Sequence, residues 1–142
     1  MDKPTSVLGL DIGGVRIGVA RALWPDGIAE RLGVLSNDNL LVDNLTKLVS
    51  EHNVALIVAG IPRSMDGNET VQTRETLRLV DTLKLALKLP IYLQDEAATS
   101  LKAEAELKAA QKPYSKGDID ALSAVYILQD FIAEHPGGGL KS

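Results

Sequence analysis

At 142 residues, 45 % hydrophobic and 24 % charged, the chain has the size and composition of one globular domain with room for a sizeable core. It has no cysteine, which excludes disulfides and thiolate metal sites, and its longest apolar run, residues 54–61, is too short to span a bilayer. The net charge of −4 does not advertise nucleic acid, so such a partner would need a local basic face. The opening Met1–Ser6 carries no signal-peptide core, and together with the lack of cysteine this leads to the expectation of a cytoplasmic protein.

Val7 to Asp11 reads as a buried strand, and Gly13-Gly14 as a two-residue hairpin turn where positive φ costs glycine nothing. Arg16 to Leu23 is its antiparallel partner. Trp24-Pro25-Asp26-Gly27 fits a type I turn, and Ile28 to Leu35 completes a meander. Ser36, Asn37 and Asp38 offer helix caps before the stripe Leu41, Leu45, Leu48, Val49 and His52. Val54 to Gly60 is nearly all apolar, as expected of a parallel strand covered on both faces. A loop, Ile61 to Gly67, leads to a long helix over Glu69–Lys88, and Pro90 precedes a fifth strand, Ile91 to Gln94. Ala98–Ala110 reads as an alanine-rich helix and Gln111–Gly117 as a basic loop. Asp118 is a candidate cap for a last helix with Leu122, Val125, Leu128, Phe131 and Ile132 on its buried face. Residues 1–135 form a single domain in this reading, with 136–142 as a flexible tail.

The order β-β-β-α-β-α-β-α-α implies an α/β fold with one five-stranded mixed sheet and helices on both faces. Strands one, four and five run parallel, so their C-terminal ends share one edge, where open α/β sheets bind ligands. That edge carries Asp11, the 60–67 loop and Asp95-Glu96, and the path after residue 110 can return Asp118 and Asp120 toward it. Converging carboxylates suit one or two Mg²⁺ or Mn²⁺ ions and in-line phosphoryl transfer with no protein nucleophile. Each acid also has a plain structural use. Asp11 can serve the glycine turn, although its place after a buried run favours function. Asp118 is best read as a helix-end residue, Asp120 fits both uses, and Asp95-Glu96 can be a solvated strand end. Arg16 and Arg63 are candidate phosphate contacts; Arg74, Lys112 and Lys116 could complete a basic rim. His52 and His135 receive no role.

Four segments in order resemble one family. Leu10-Asp11-Ile12-Gly13 with Arg16-Ile17-Gly18-Val19-Ala20 is similar to the DxGxxRIGVA opening of the YqgF/RuvX family. Val58-Ala59-Gly60-Ile61-Pro62 with Met65-Asp66-Gly67 resembles its VGLP…MDG loop. Asp95-Glu96 with Thr99-Ser100 resembles its DERxTS motif, and Asp120-Ala121-Leu122-Ser123-Ala124 with Ile127-Leu128-Gln129 its DxxAAxxIL helix. The resemblance implies an RNase H-like fold and a nuclease that processes the 5′ end of the small-subunit (16S) ribosomal RNA precursor during ribosome biogenesis, with Mg²⁺ or Mn²⁺. It makes Asp11, Glu96 and Asp120 the catalytic, metal-holding carboxylates, selecting Asp120 over Asp118 by the small pair Ser123-Ala124. From the basic rim, Arg16, Arg63 and Lys116 are taken as the expected substrate contacts, and RNA is the expected partner, bound by a monomer or homodimer without a membrane. The family's arginine after DE is Ala97 here, and its Thr-Lys after DxG is Gly14-Val15, so some potential phosphate contacts are absent. A Holliday junction resolvase-like DNA nuclease and a non-catalytic RNA-binding module are the competing readings. An actin-like kinase needs a second domain for which the chain has no room.

Overall fold

Five strands form one sheet in the order β3-β2-β1-β4-β5. The computed structural model describes residues 4–25, 27–62, 71–96 and 99–136. In chain order the elements are β1 (Thr5–Ile12), β2 (Arg16–Trp24), β3 (Glu30–Ser36), α1 (Leu41–His52), β4 (Leu56–Pro62), α2 (Val71–Leu87), β5 (Ile91–Glu96), α3 (Thr99–Ala109) and α4 (Lys116–Glu134). β1, β2 and β3 form the antiparallel meander, and β1, β4 and β5 run parallel, as the element order predicts.

Side-chain alternation divides the core into two layers. Leu8, Leu10, Ile17, Val19, Ile57 and Ala59 face α1 and α2, where Leu41, Leu45, Val80 and Leu83 cover them. Val7, Ala20, Ala22 and Val58 face α4, meeting Leu128 and Phe131. Burial on both sides explains why β1 and β4 read as continuous apolar runs.

α4 lies very close to the sheet. A Cβ at Gly18 would collide with the carbonyl oxygen of Asp120 and stand 2.8 Å from the Ala121 nitrogen. One at Gly9 would stand 2.5 Å from Leu128 Cγ. These two glycines let the helix backbone rest directly on β1 and β2. At its far end α4 is anchored by rings: Phe131 lies 5.3 Å from Trp24 and 5.2 Å from Tyr92, and His135 stacks on Phe131 at 4.5 Å. The Trp24 indole N–H donates to the His135 carbonyl oxygen at 2.9 Å. His135, which carries no role by sequence, thus closes the last turn of α4.

Several local expectations change. Gly13-Gly14 is not a two-residue turn: β1 and β2 are joined by Gly13-Gly14-Val15, with the Gly13 N–H donating to the Arg16 carbonyl at 3.0 Å. The longer link needs no positive φ, and Gly33 is the one described glycine that has it (φ 140°). β3 starts at Glu30, because Ile28 is 86 % exposed and the ladder begins at Arg21↔Glu30. The Trp24-Pro25 bond is cis. α1 has Leu40 at its cap position with no side-chain cap, while Asp38 Oδ1 accepts from the Leu40 N–H just outside. Asp118 is not the cap of α4. Ser115 is, and Asp118 closes a capping box: the Ser115 N–H donates to its carboxylate (2.8 Å) and its own N–H to Ser115 Oγ (3.2 Å). Arg63, Ala97, the Met65-Asp66-Gly67 segment and residues 137–142 of the expected tail lie outside the described residues.

Gly18→Ala should force α4 away from β2, lowering stability by about 1–3 kcal/mol. Urea denaturation should show a lower midpoint with an unchanged m-value.

Candidate active site

The sheet register fixes which acids can meet. Asp11 pairs with Gly18 on one side and Gly60 on the other, and Gly60 pairs with Gln94. Paired residues share a face, so Asp11, Gly18, Gly60 and Gln94 form one row beneath α4. Toward the same sheet edge, Arg16, two residues before Gly18, and Glu96, two after Gln94, share that face. Asp95 points to the other and is exposed, which separates it from Glu96 by alternation alone.

Above this row α4 contributes Asp120. The Arg16 Nε–H donates to Asp120 Oδ2 at 2.7 Å, an ion pair whose side chains are 38 % and 19 % exposed. Asp11 lies close enough to feel the Asp120 charge. Its pKa is pushed from 3.8 up to about 6, first by burial and then by Asp120. The nearby Ser123 hydroxyl favours the charged form of Asp11, although it makes no hydrogen bond of good geometry and is fully buried.

Glu96 occupies the same face farther along α4. It is 9 % exposed, and its Oε1 is buried without a hydrogen-bond partner. Its pKa rises from 4.5 to about 8 through burial, a hydrogen bond and charge from Asp130, and the charge of Glu134, against which Lys102 acts. The Gln94 amide donates to Glu134 Oε2 at 2.9 Å, leaving Gln94 Oε1 buried and unpartnered. The sequence reading had no signal for Asp130 or Glu134, which lie near Glu96 only because α4 crosses the sheet obliquely.

The structure therefore joins Asp11, Asp120 and Arg16, and sets Glu96 beside Asp130. Among the described residues no three acid or histidine side chains converge closely enough to hold a metal ion. The donor chemistry still fits a hard divalent cation: every candidate ligand is a carboxylate oxygen, Asp11 and Asp120 repel each other, and the Glu96 oxygen on the same face is orphaned. Lys116 is exposed at the start of α4, one turn before Asp120 and on the same flank.

Two solved structures share this architecture. Thermus thermophilus RuvC in complex with Holliday junction substrate superposes with a TM-score of 0.59 at 14 % identity, over 94 % of this chain and 98 % of that one. The fowlpox virus Holliday junction resolvase gives 0.58 at 8 % identity, over 92 % and 99 %. The class is an RNase H-like α/β fold of the resolvase type. Within that class the chain belongs to the RuvX family, described as Holliday junction resolvase, whose model matches residues 5–134. Among its relatives, the "Putative pre-16S rRNA nuclease" of Crocosphaera subtropica is 40 % identical over 131 residues, 89 % of this chain and 92 % of that protein. The protein of the same name from Sulfurihydrogenibium sp. is 38 % identical over 129 residues, 89 % and 88 % of the two chains.

A carboxyl whose pKa rises from 3.8 to about 6 on folding binds more protons folded than unfolded in that interval. Its effect on stability is most favourable below pH 3.8, is lost as pH rises to about 6, and stays lost above it. In the metal-free protein Asp11→Asn should therefore stabilise at pH 7.5 by about 1 kcal/mol, allowing for partial exposure. The melting temperature should rise by about 2–4 °C, and calorimetry at pH 4 should show that advantage gone.

Proposed function

We propose that this protein is a divalent-metal-dependent nuclease that hydrolyses phosphodiester bonds at the 5′ end of pre-16S ribosomal RNA. The observation that carries the reading is the meeting of Asp11 and Asp120 at the C-terminal edge of the parallel strands, with Arg16 on the Asp120 carboxylate. The names borne by relatives 38–40 % identical over 89 % of the chain support the substrate.

Asp11 and Asp120 would hold Mg²⁺ or Mn²⁺, with Glu96 as the third carboxylate. The cation's contribution is Lewis acidity at the scissile phosphate and at the attacking water. Hydrolysis forms a bond from the water oxygen to phosphorus, breaks the P–O3′ bond and delivers a proton to the departing 3′ oxygen. Arg16 uses Nε to orient Asp120, which leaves its terminal amino groups for a phosphate oxygen. Lys116 adds a positive charge one turn away, and Arg63 is a further candidate for a phosphate contact. The burial of Asp11 strengthens the electrostatic interactions of its own carboxylate. The protein acts as a monomer or homodimer in the cytoplasm, and no described helix is long and apolar enough to cross a membrane.

A four-way DNA junction is the second reading, favoured by the description of the family. One assay separates the two: an RNA spanning the precursor end and a DNA junction, each incubated with Mn²⁺, Mg²⁺ or EDTA. Cleavage of the RNA is expected with either metal and not with EDTA, and Asp11→Asn or Asp120→Asn should reduce the rate by about 10²–10⁴-fold. Cleavage of the junction alone would overturn the RNA assignment. A separate check concerns Lys116. Lys116→Gln should weaken RNA binding and make the log–log salt dependence shallower by about 0.7, while leaving the melting temperature unchanged.

A further inference from the structure

β1 presents two different environments at its C-terminal end. Asp11 points toward α4 and Ile12 toward α2, because successive side chains alternate. Beside Ile12 is a cavity of about 200 Å³ that has no part in the carboxylate site. Ile12 and Leu79 supply apolar walls, and Asn37, Gln72, Glu75 and Thr76 supply hydrogen-bonding groups. Positions 72, 75, 76 and 79 form one stripe along α2, so the helix aims a single continuous face into the space. The opposite side is a braced loop: the Asn37 side-chain amide donates to the Gly13 carbonyl at 2.8 Å, and its backbone N–H to the Val15 carbonyl at 2.9 Å. A Cβ at Gly14, which also lines the cavity, would meet nothing within 4 Å.

We infer that this cavity receives one unpaired nucleobase of the RNA, from a nucleotide adjoining the scissile phosphate. The inference rests on the nuclease reading above and adds a specificity site to it. A small space with apolar walls at Ile12 and Leu79 and amide, hydroxyl and carboxylate groups beside them offers a single base contact for its faces and partners for its edge. Asp11 and Ile12 are consecutive on β1, so the carboxylate face and the cavity flank one strand end, a step that one nucleotide makes from phosphate to base. The phosphate then lies on the α4 side by Asp11 and Arg16, and the base on the α2 side. A base paired and stacked in a duplex cannot make this turn, so the cavity selects single-stranded RNA at the cut.

The test is a binding cycle with a fluorescent RNA spanning the precursor end, read by anisotropy in EDTA. An abasic nucleotide is walked through the positions flanking the cleavage point. The protein is wild type, Gln72→Leu or Gly14→Leu; both positions are exposed, so melting temperatures should stay at the wild-type value. At one position the abasic RNA should bind wild type about 10-fold more weakly. The two variants should lose about the same factor on intact RNA and nothing further on that abasic RNA. Losses that multiply at every position, or no loss from either variant while the wild-type protein binds the RNA and, in a parallel reaction with Mn²⁺, cleaves it, would overturn the base pocket and leave the nuclease standing. Failure of the wild-type protein to bind the RNA in EDTA and also to cleave it with Mn²⁺ or Mg²⁺ would overturn both.

Discussion

The backbone contact between α4 and the sheet is the constraint on which the rest of the structure depends. Gly18 has no side chain, so the carbonyl of Asp120 can occupy the space a Cβ would need. The height of Asp120 above Asp11 is thereby set by main-chain contact, which is stiffer than any side-chain arrangement. The two ends of the helix hold it there. The Ser115–Asp118 capping box secures the first turn, and the rings of Trp24, Tyr92, Phe131 and His135 clamp the last. A shift at either end would move Asp120 relative to Asp11.

That rigidity imposes an electrostatic cost, which the site retains. Asp11 and Asp120 face each other on a partly desolvated surface, and Arg16 neutralises only one of them. Farther along the helix Glu96, Asp130 and Glu134 repeat the pattern, with Lys102 as the nearby opposing charge. A protein selected for stability alone would not gather acids on the buried face of its sheet. A hard cation or a proton relieves such a site, and carboxylates held apart by a stiff scaffold are suited to receive the former.

RuvC and the fowlpox enzyme share this architecture at 14 % and 8 % identity, which fixes the fold and not the substrate. Substrate preference has to come from surfaces around the carboxylates. Here those surfaces differ on the two sides of β1: Asp11, Asp120 and Arg16 lie toward α4, and Ile12 and Leu79 among Asn37, Gln72, Glu75 and Thr76 toward α2.

The amino-acid sequence by itself determined the element order, the parallel run of β1, β4 and β5, and the place of Asp11 at a strand end. Hydrophobic periodicity and glycine or proline punctuation are local, and they carry that information directly. For Asp95 and Glu96 spacing left a solvated strand end open, and the structure's alternation along β5 puts Glu96, and not Asp95, on the face of α4. The sequence motifs of the RuvX family singled out Asp120, whereas spacing alone left it open against a helix-end role. Only the tertiary structure decided that Arg16 reaches Asp120 across 104 positions, that Asp130 stands beside Glu96, and that Asn37 braces the loop after Asp11. These pairings depend on the angle and height at which α4 crosses the sheet and on the register of β3, quantities set by long-range packing that no local window contains.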